Sequence, residues 1–265
     1  MRMMTIASGS SGNCIYVGSD DTHILIDAGI SRKKIEEGLH AAELSLKDIS
    51  AVFVTHEHSD HIKGLGVMAR KDEIPVYSTS GTINGILGTS TLGDMPQDLF
   101  HEIEKNQDIC IGDLCIHDFQ VSHDANDPVA YTISKDHKKA GIITDLGIYD
   151  DYIVENLKGS EVMLVEANHD VNLLQVGSYP YYLKQRILGK KGHLSNESSG
   201  QLINALLHDN IGKIMLGHLS KENNYDKLAY ETVKLEIDMS ENQFKANDFD
   251  IEVAKRSEPS NIINF

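Results

Sequence analysis

A short segment rich in histidine constrains this chain more than any other feature. The heptapeptide Thr-His-Glu-His-Ser-Asp-His follows an apolar run at 51–54 that predicts a buried strand. In an extended segment, residues i and i+2 point the same way, so His56 and His58 can face one point. Asp60 and His61 come after the turn and can reach a second point. This concentration of ligands predicts a metal site, with a solvated polar loop as the alternative.

Four other predicted strands end in the same kind of residue. Their apolar or alternating sequences predict buried or half-buried strands at 24–26, 116–122, 140–144 and 213–217. The residues that follow these runs are Asp27, His123, Asp145 and His218. In an α/β sheet the working groups gather at one edge of the strands. Five such endings together therefore predict one site.

The chain length and the alternation of patterns predict one α/β domain over 1–265. A chain of 265 residues can build one large buried core, and no Pro- or Ser-rich linker interrupts it. Helical periodicity predicts helices near 31–42, 61–71, 149–158, 180–188, 196–208 and 225–237. The glycine-rich segment 81–93 is expected to be a mobile loop.

The cellular setting is expected to be the cytoplasm, without membrane association. No apolar run approaches the length of a membrane span, and the first residues are too polar for a secretory signal. Cys14, Cys110 and Cys115 lie in apolar, strand-like contexts. They are expected to be reduced core residues of a reducing compartment, without a disulfide.

The order of the histidines and aspartates resembles the five motifs of the metallo-β-lactamase fold. That resemblance implies an α/β fold, the four-layer αβ/βα sandwich, with two divalent ions per chain. By the same resemblance, the first ion is bound by His56, His58 and His123, the second by Asp60, His61 and His218, and Asp145 bridges them. Asp27 is implied to hold the site through hydrogen bonds. The ligand types suit Zn²⁺ or Mn²⁺ and do not choose between them.

Two residues outside the metal set bear on the chemistry. Glu166 follows a strand-like run, and His193 stands just before Ser195 and Asn196, which can cap a helix. On spacing alone, His193 can be an ordinary polar residue at the start of a helix. Glu166 with a later Gly-His-x-Ser resembles the phosphodiesterase branch of the fold, typified by tRNA 3′-processing endonucleases. The resemblance implies that His193 is the general acid and Glu166 its orienting partner.

Nearly the whole chain resembles the bacterial YycJ (WalJ) group of the same superfamily. The matching segments lie at 8–13, 55–61, 166–170, 192–196 and 217–220. The resemblance implies a phosphodiesterase, with 5′-to-3′ exonuclease action on DNA as the family expectation. A water activated between two divalent ions is expected to attack phosphorus, with Asp60 orienting it and His193 protonating the leaving oxygen.

Substrate contacts are expected at a basic strip and at a glycine- and serine-rich loop. The chain carries a formal charge of −16, yet no acidic residue occurs in 180–194. That segment contains Lys184, Arg186, Lys190 and Lys191, preceded or accompanied by Tyr179, Tyr181 and Tyr182. The pattern favours DNA ends or single strands as partner, with a solvated helix face as the alternative. In the loop 8–13, Ser11 and Asn13 are expected to bind phosphate, although a tight turn would use the same residues.

Two other functions remain open on the sequence. A thioester or other small-molecule hydrolase of the glyoxalase II type would use the same metal ligands, but it leaves Glu166 and His193 unexplained. A non-catalytic binding module could retain the metal site for stability alone. The sequence does not indicate an oligomeric state.

Overall fold

The computed structural model describes all 265 residues, which fall into two compact units. The first unit comprises Met1–Gln120, Ala125–His137 and Lys255–Phe265, and the second comprises Val121–Asp124 and Lys138–Ala254. Each unit combines strands with helices, which confirms the predicted α/β class. A single domain over 1–265 stays a prediction.

The first unit contains one seven-stranded sheet and one three-stranded group. The sheet is formed by β1 (Arg2–Ala7), β2 (Cys14–Gly18), β3 (His23–Ile26), β4 (Ala51–Phe53), β5 (Val76–Ser78), β6 (Phe100–Glu102) and β14 (Ile263–Asn264), in the order β14-β1-β2-β3-β4-β5-β6. Its pairs are antiparallel from β14 to β3 and parallel from β3 to β6. The antiparallel group consists of β7 (Asp108–Ile111), β8 (Leu114–Gln120) and β9 (Val129–Lys135). Aliphatic side chains of the sheet and its helices form one buried cluster.

Four helices belong to the first unit, and three of them correct the sequence predictions. They are α1 (Arg32–His40), α2 (Ser59–Ile62), α3 (Leu65–Asp72) and α4 (Ser80–Leu87). The helix predicted at 61–71 is divided into α2 and α3 at Lys63 and Gly64. A Cβ on Gly64 would lie 2.1 Å from the carbonyl oxygen of Ile30, so the break brings two backbone segments into close contact.

The segment predicted as a mobile loop, 81–93, largely forms α4, so that prediction was wrong. Thr79 caps the helix by accepting a hydrogen bond from the backbone N–H of Thr82. The hydroxyl of Thr79 also donates to the carbonyl of Asp127 at 2.7 Å, and Ile86 is fully buried. Capping and burial outweigh the low helix propensity of the glycines.

The second unit is built on a parallel sheet. Its strands are β10 (Lys138–Ile143), β11 (Val162–Glu166), β12 (Lys213–Gly217) and β13 (Ile251–Val253), paired in that order. Its helices are α5 (Asp151–Leu157), α6 (Val171–Val176), α7 (Tyr181–Leu188), α8 (Asn196–Leu206) and α9 (Asp226–Met239). Four of these five were predicted, and α6 was not. None of the nine helices of the chain combines the length and the apolar character needed to cross a bilayer.

The cysteines correct a further expectation. Cys14 is buried and reduced, as predicted, but Cys110 and Cys115 form a disulfide between β7 and β8. The two residues are directly opposite each other in the antiparallel register, because the hairpin turns within two residues at Gly112, where φ is +56°. Cys110 is exposed, so this pair does not belong to the core.

Candidate metal centre

The histidine-rich segment of the first unit starts directly after β4. This strand lies between two parallel neighbours, and α2 then begins at Ser59 with His58 as its N-cap. Nε2 of His56 lies 3.0 Å from Nδ1 of His58, and the rings of His56 and His61 are 4.1 Å apart. Nε2 of His61 lies 3.6 Å from Oδ2 of Asp60. The four ligands predicted in this unit are therefore close together.

Asp27 supports this cluster from within the unit. Its buried carboxylate accepts hydrogen bonds from the backbone N–H of Thr55 at 2.8 Å and from the Thr55 hydroxyl. Nδ1 of His61 lies 2.7 Å from Oδ2 of Asp27. An Nδ1–H bound to a carboxylate puts the lone pair of the ring on Nε2, the atom that faces Asp60. This contact fits the orienting role predicted for Asp27.

Thr55 also contacts the predicted ligands, and the sequence analysis gave it no role. Its hydroxyl donates to Asp27 and lies 3.0 Å from Nδ1 of His56, from which it can accept. This arrangement favours the tautomer of His56 whose lone pair is on Nε2. The only signal in the sequence was a hydroxyl side chain at a strand end.

The glycine- and serine-rich loop places its two predicted substrate contacts differently. Ser11 is exposed, whereas Asn13 is fully buried. Oδ1 of Asn13 accepts from Gly9 N–H at 2.9 Å, and Nδ2 lies 3.1 Å from Nε2 of His61. The backbone N–H of Asn13 donates to the carbonyl of Asp60 at 2.8 Å. Asn13 thus joins the loop to the histidine-rich segment, which favours a supporting role for its side chain.

In the second unit, Asp145 lies beside three histidines. Its Oδ1 is 3.6 Å from Nε2 of His123, 3.7 Å from Nε2 of His218 and 3.5 Å from Nδ1 of His193. His123 and His218 were assigned to different ions by the resemblance. A carboxylate oxygen near Nε2 of both is compatible with the bridging role that the resemblance implies for Asp145.

Hydrogen bonds fix the tautomers of those two histidines. Nδ1 of His123 donates to the carbonyl of Gly192 at 3.0 Å, and Nδ1 of His218 donates to Oε1 of Glu166 at 2.7 Å. Both rings therefore carry their lone pairs on Nε2, which faces Asp145. Second partners of this kind are typical of metal-binding histidines.

Glu166 is fully buried at the end of β11, and both of its oxygens are used. Oε1 lies 2.8 Å from Nδ1 of His193 as well as 2.7 Å from that of His218. Oε2 accepts from the backbone N–H groups of Leu146 and Leu194. Burial lowers the pKa of His193, but the charge of Glu166 and the hydrogen bond to it outweigh this, so the pKa of His193 is raised. His193 is thereby kept protonated to higher pH than an ordinary histidine.

Three predicted site residues have left-handed backbone conformations within two residues of a strand end. The φ angles are 63° at Asp27, 58° at Asp145 and 54° at His218. Residues other than glycine in this region cost roughly 1–3 kcal/mol each, and they concentrate at functional sites. All three are candidate site residues, in keeping with that tendency.

The donor sets of the two units suit divalent metals. Each unit contributes imidazole Nε2 atoms with lone pairs fixed by hydrogen bonds, together with a carboxylate. In the second unit, ligand atoms of Asp145, Glu166, His193 and His218 all lie within 4.8 Å of one another. The union of the two sets in one dinuclear centre stays a prediction of the motifs.

The basic strip is only partly available to a substrate. Nζ of Lys184 donates to the carbonyls of Gln175 at 2.8 Å and Gly177 at 2.6 Å. Arg186 forms a two-pronged ion pair with Asp124. These two cations are therefore engaged by the second unit itself. The other two, Lys190 and Lys191, are exposed and follow α7.

Comparison with known proteins agrees with these features. Residues 22–218 match the family model described as beta-lactamase superfamily domain. The chain is 40% identical over 233 residues to exodeoxyribonuclease YycJ of Bacillus anthracis, with 88% of each chain covered. It is 42% identical over 228 residues to exodeoxyribonuclease WalJ of Streptococcus pneumoniae, covering 86% of this chain and 85% of that one.

The fold is shared with more distant solved structures. The metallo-beta-lactamase fold protein YhfI from Bacillus subtilis is similar with a TM-score of 0.69 and 16% identity, over 98% of this chain and 99% of that chain. The metallo-β-lactamase fold predicted from the motifs is thus confirmed. The chain therefore belongs to the beta-lactamase superfamily and, within it, to the family of the YycJ and WalJ proteins.

Proposed function

We propose that this protein is a metal-dependent nuclease that degrades DNA as an exonuclease from the 5′ end. The observation that carries the phosphodiesterase chemistry is the hydrogen bond of 2.8 Å between Nδ1 of His193 and Oε1 of Glu166. A general acid is needed where the leaving group is a poorly stabilised alkoxide, as in a nucleic acid. The names of the YycJ and WalJ relatives, exodeoxyribonucleases, support DNA as the substrate.

Membership of the superfamily implies that the chain binds a divalent metal. In the proposed centre the first ion is held by His56, His58 and His123, the second by Asp60, His61 and His218, with Asp145 between them. Two ions, Zn²⁺ or Mn²⁺, would supply an activated water and neutralise charge on the phosphate. The support is the order of the motifs and the fixed tautomers within each unit.

The protein's own residues then position and transfer protons. With Nδ1 held by Glu166, the imidazolium of His193 has its second proton on Nε2, from which it can be donated to the leaving oxygen. The raised pKa of His193 favours this protonated form. Asp60 is proposed to orient the attacking water. Lys190, Lys191 and Ser11 are exposed and are proposed to contact phosphates, with Lys184, Arg186 and Asn13 supporting them.

The remaining proposals concern organisation and setting. We propose that residues 1–265 act as one domain, that the substrate is a DNA end or a single strand, and that the protein acts in the cytoplasm. The disulfide between Cys110 and Cys115 removes one of the sequence arguments for a reducing compartment. The argument that stays is the likeness to the YycJ and WalJ proteins.

Leaving-group dependence tests the proposed chemistry. His193→Ala should keep the fold and the bound metal while slowing cleavage of DNA by roughly 10²–10⁴-fold. On a nitrophenyl phosphodiester, whose leaving group needs no proton, the defect should be much smaller. His218→Ala is the matched comparison, since losing a metal ligand should abolish activity on both substrates.

Labelled oligonucleotides test the substrate and the polarity. Metal-loaded protein is incubated with DNA and RNA oligonucleotides labelled at the 5′ or the 3′ end, and the products are resolved by length. Release of short products from the 5′ end of DNA is expected. Full activity of His193→Ala on DNA would contradict the phosphodiesterase mechanism and favour the thioester hydrolase alternative.

A further inference from the structure

One face of α7 lines an open cavity in the second unit. Tyr181, Lys184, Gln185 and Leu188 are spaced as neighbours on a single helical face, and Gln175 of α6 completes the lining. The cavity has a volume of about 300 Å³. Tyr181 is 77% exposed, and such exposure of a large aromatic ring is unusual for a side chain with only a packing role.

The walls of this cavity are held in place by defined contacts. Lys184 links the two helices, because its Nζ donates to the carbonyls of Gln175 and Gly177 at the end of α6. Ile187 of the same helix is buried. The two helices that line the cavity are therefore held together, with the Tyr181 side chain exposed.

The chemistry of the lining matches a nucleobase. An aromatic ring offers a stacking surface, which is tolerant of base identity. The exposed amides of Gln175 and Gln185 each carry a donor and an acceptor, as the edges of bases do. The exposed Lys190 and Lys191, at the other end of α7, can meet phosphates of the same strand. No acidic residue lies in 180–194, so this face favours a polyanion on a chain of charge −16.

The cavity is also close to the proposed general acid along the backbone. The N–H of His193 donates to the carbonyl of Ile187 at 3.0 Å, so the end of α7 fixes the position of His193. The six steps from Tyr181 to Ile187 rise by about 9 Å along the helix axis. Nucleotides in a duplex are spaced about 3.4 Å along the axis and are farther apart in an extended strand, so this distance corresponds to roughly one to three nucleotides.

We propose that the cavity between α6 and α7 binds an unpaired base of the substrate strand, stacked on Tyr181, within about three nucleotides of the bond that is cleaved. This proposal rests on the proposed nuclease function and adds a substrate subsite to it. The subsite would recognise an unpaired base at one position of the strand. The identity of that base would matter less than its presence.

The test combines one substitution with substrates that lack a base. Single-stranded DNA oligonucleotides with one abasic nucleotide, moved stepwise from the cleaved end, are compared on metal-loaded protein. An abasic nucleotide at one of the first three positions should raise KM by roughly fivefold to a hundredfold, the range expected when one base no longer stacks. Tyr181→Ala should raise KM on the intact oligonucleotide similarly and should be insensitive to that abasic nucleotide.

Tyr225→Ala is the matched control. Tyr225 belongs to the same unit and is 57% exposed, but it lies outside both the cavity lining and the basic strip. Its substitution should leave KM and the abasic profile unchanged. Equal effects of both substitutions, or an abasic penalty that persists in Tyr181→Ala, would overturn the proposal.

Two further readouts separate this proposal from others. Hydrolysis of a nitrophenyl phosphodiester should be unchanged in Tyr181→Ala, whereas a fall there would show damage to the site and contradict a base subsite. If the wild-type protein cleaves no oligonucleotide, the nuclease function itself fails. Sedimentation velocity tests whether a second copy of the chain occupies the cavity. A dimer that dissociates on Tyr181→Ala would identify this face as a protein contact and overturn the base subsite.

Discussion

Oε1 of Glu166 lies 2.7 Å from Nδ1 of His218. The same oxygen lies 2.8 Å from Nδ1 of His193, so one buried carboxylate orients both a proposed metal ligand and the proposed general acid. The other oxygen is held by two backbone N–H groups, which prevents the carboxylate from rotating. The proposed metal binding by His218 and proton transfer by His193 would therefore be coupled through one side chain.

This coupling predicts a particular effect of Glu166→Gln. The backbone N–H groups of Leu146 and Leu194 need an acceptor, so the oxygen of the new amide would have to stay with them. The amide NH₂ would then face the two histidines. Nδ1 of His218 would then become an acceptor, and the proton would move to Nε2, the metal-facing atom. Metal affinity should fall by roughly 10- to 100-fold, measured by calorimetric titration. The exposed Glu155→Gln is the control, and unchanged metal affinity in a folded Glu166→Gln would contradict the coupling.

A second prediction concerns the bridging role of Asp145. Protein saturated with metal should contain about two ions per chain, and Asp145→Ala should contain about one, because the shared ligand is lost. Metal content is measured by mass spectrometry after gel filtration in metal-free buffer. A wild-type content fixed at one ion under saturating metal would argue against a bridge.

The sequence located the candidate ligands of the first unit because their signals are local. Each predicted ligand of the first unit lies within about eight positions of the end of β4, where an apolar run is easily recognised. The contact of Glu166 with His193 was implied only by the resemblance, and its contact with His218 was not predicted, since these histidines are 27 and 52 positions away. Nothing local shows that three separate segments meet.

Two other sequence predictions were wrong because local contacts outweigh the composition of the segment. The glycine-rich segment 81–93 was expected to be a loop, but the cap from Thr79 and the buried Ile86 make it helical. Lys184 was expected to face a substrate, but carbonyls at the end of α6 bind its ammonium group. In both cases the decisive partner is a backbone or capping group, which residue type does not reveal.

The third prediction separates the two kinds of cation in the basic strip. The double substitution Lys190→Gln and Lys191→Gln should weaken oligonucleotide binding. It should also lower the magnitude of the slope of log affinity against log salt concentration by about 1.4, which is about 0.7 for each phosphate that is no longer neutralised. The control removes the same charge from the exposed Lys33 and Lys227. Binding is measured by fluorescence anisotropy at several salt concentrations. An equal change in slope in the control would mean that only net charge matters.

Lys184 should behave differently from those two lysines. Lys184→Met removes two hydrogen bonds to backbone carbonyls and should lower the free energy of unfolding by roughly 1 kcal/mol. Its effect on the salt slope should be small, because its charge is already engaged. Urea unfolding and the same anisotropy titration measure the two quantities. A change in slope without a loss of stability would return Lys184 to the phosphate-binding set.

A buried histidine of the second unit gives a pH-dependent prediction. His169 is 1% exposed, and neither ring nitrogen has a hydrogen-bond partner. Burial lowers the pKa of His169 to about 4, against the opposing charges of Glu166 and Asp170. Because an unfolded histidine titrates near pH 6.5, the unfolded chain binds more protons than the folded one between about pH 6.5 and 4. Stability therefore falls as the pH is lowered through that range.

His169→Leu should remove this part of the acid sensitivity. Leucine has a similar size and forfeits no hydrogen bond, so the variant should fold. Between pH 7 and pH 5 the wild-type protein should lose about 2 kcal/mol more unfolding free energy than the variant, since one unit of pH is worth about 1.4 kcal/mol for one linked proton. Urea unfolding at both pH values measures the difference, with the exposed His137→Leu as control. If both variants kept the wild-type pH dependence, His169 would be protonated in the folded protein at pH 5, and its burial would not be the source of acid sensitivity.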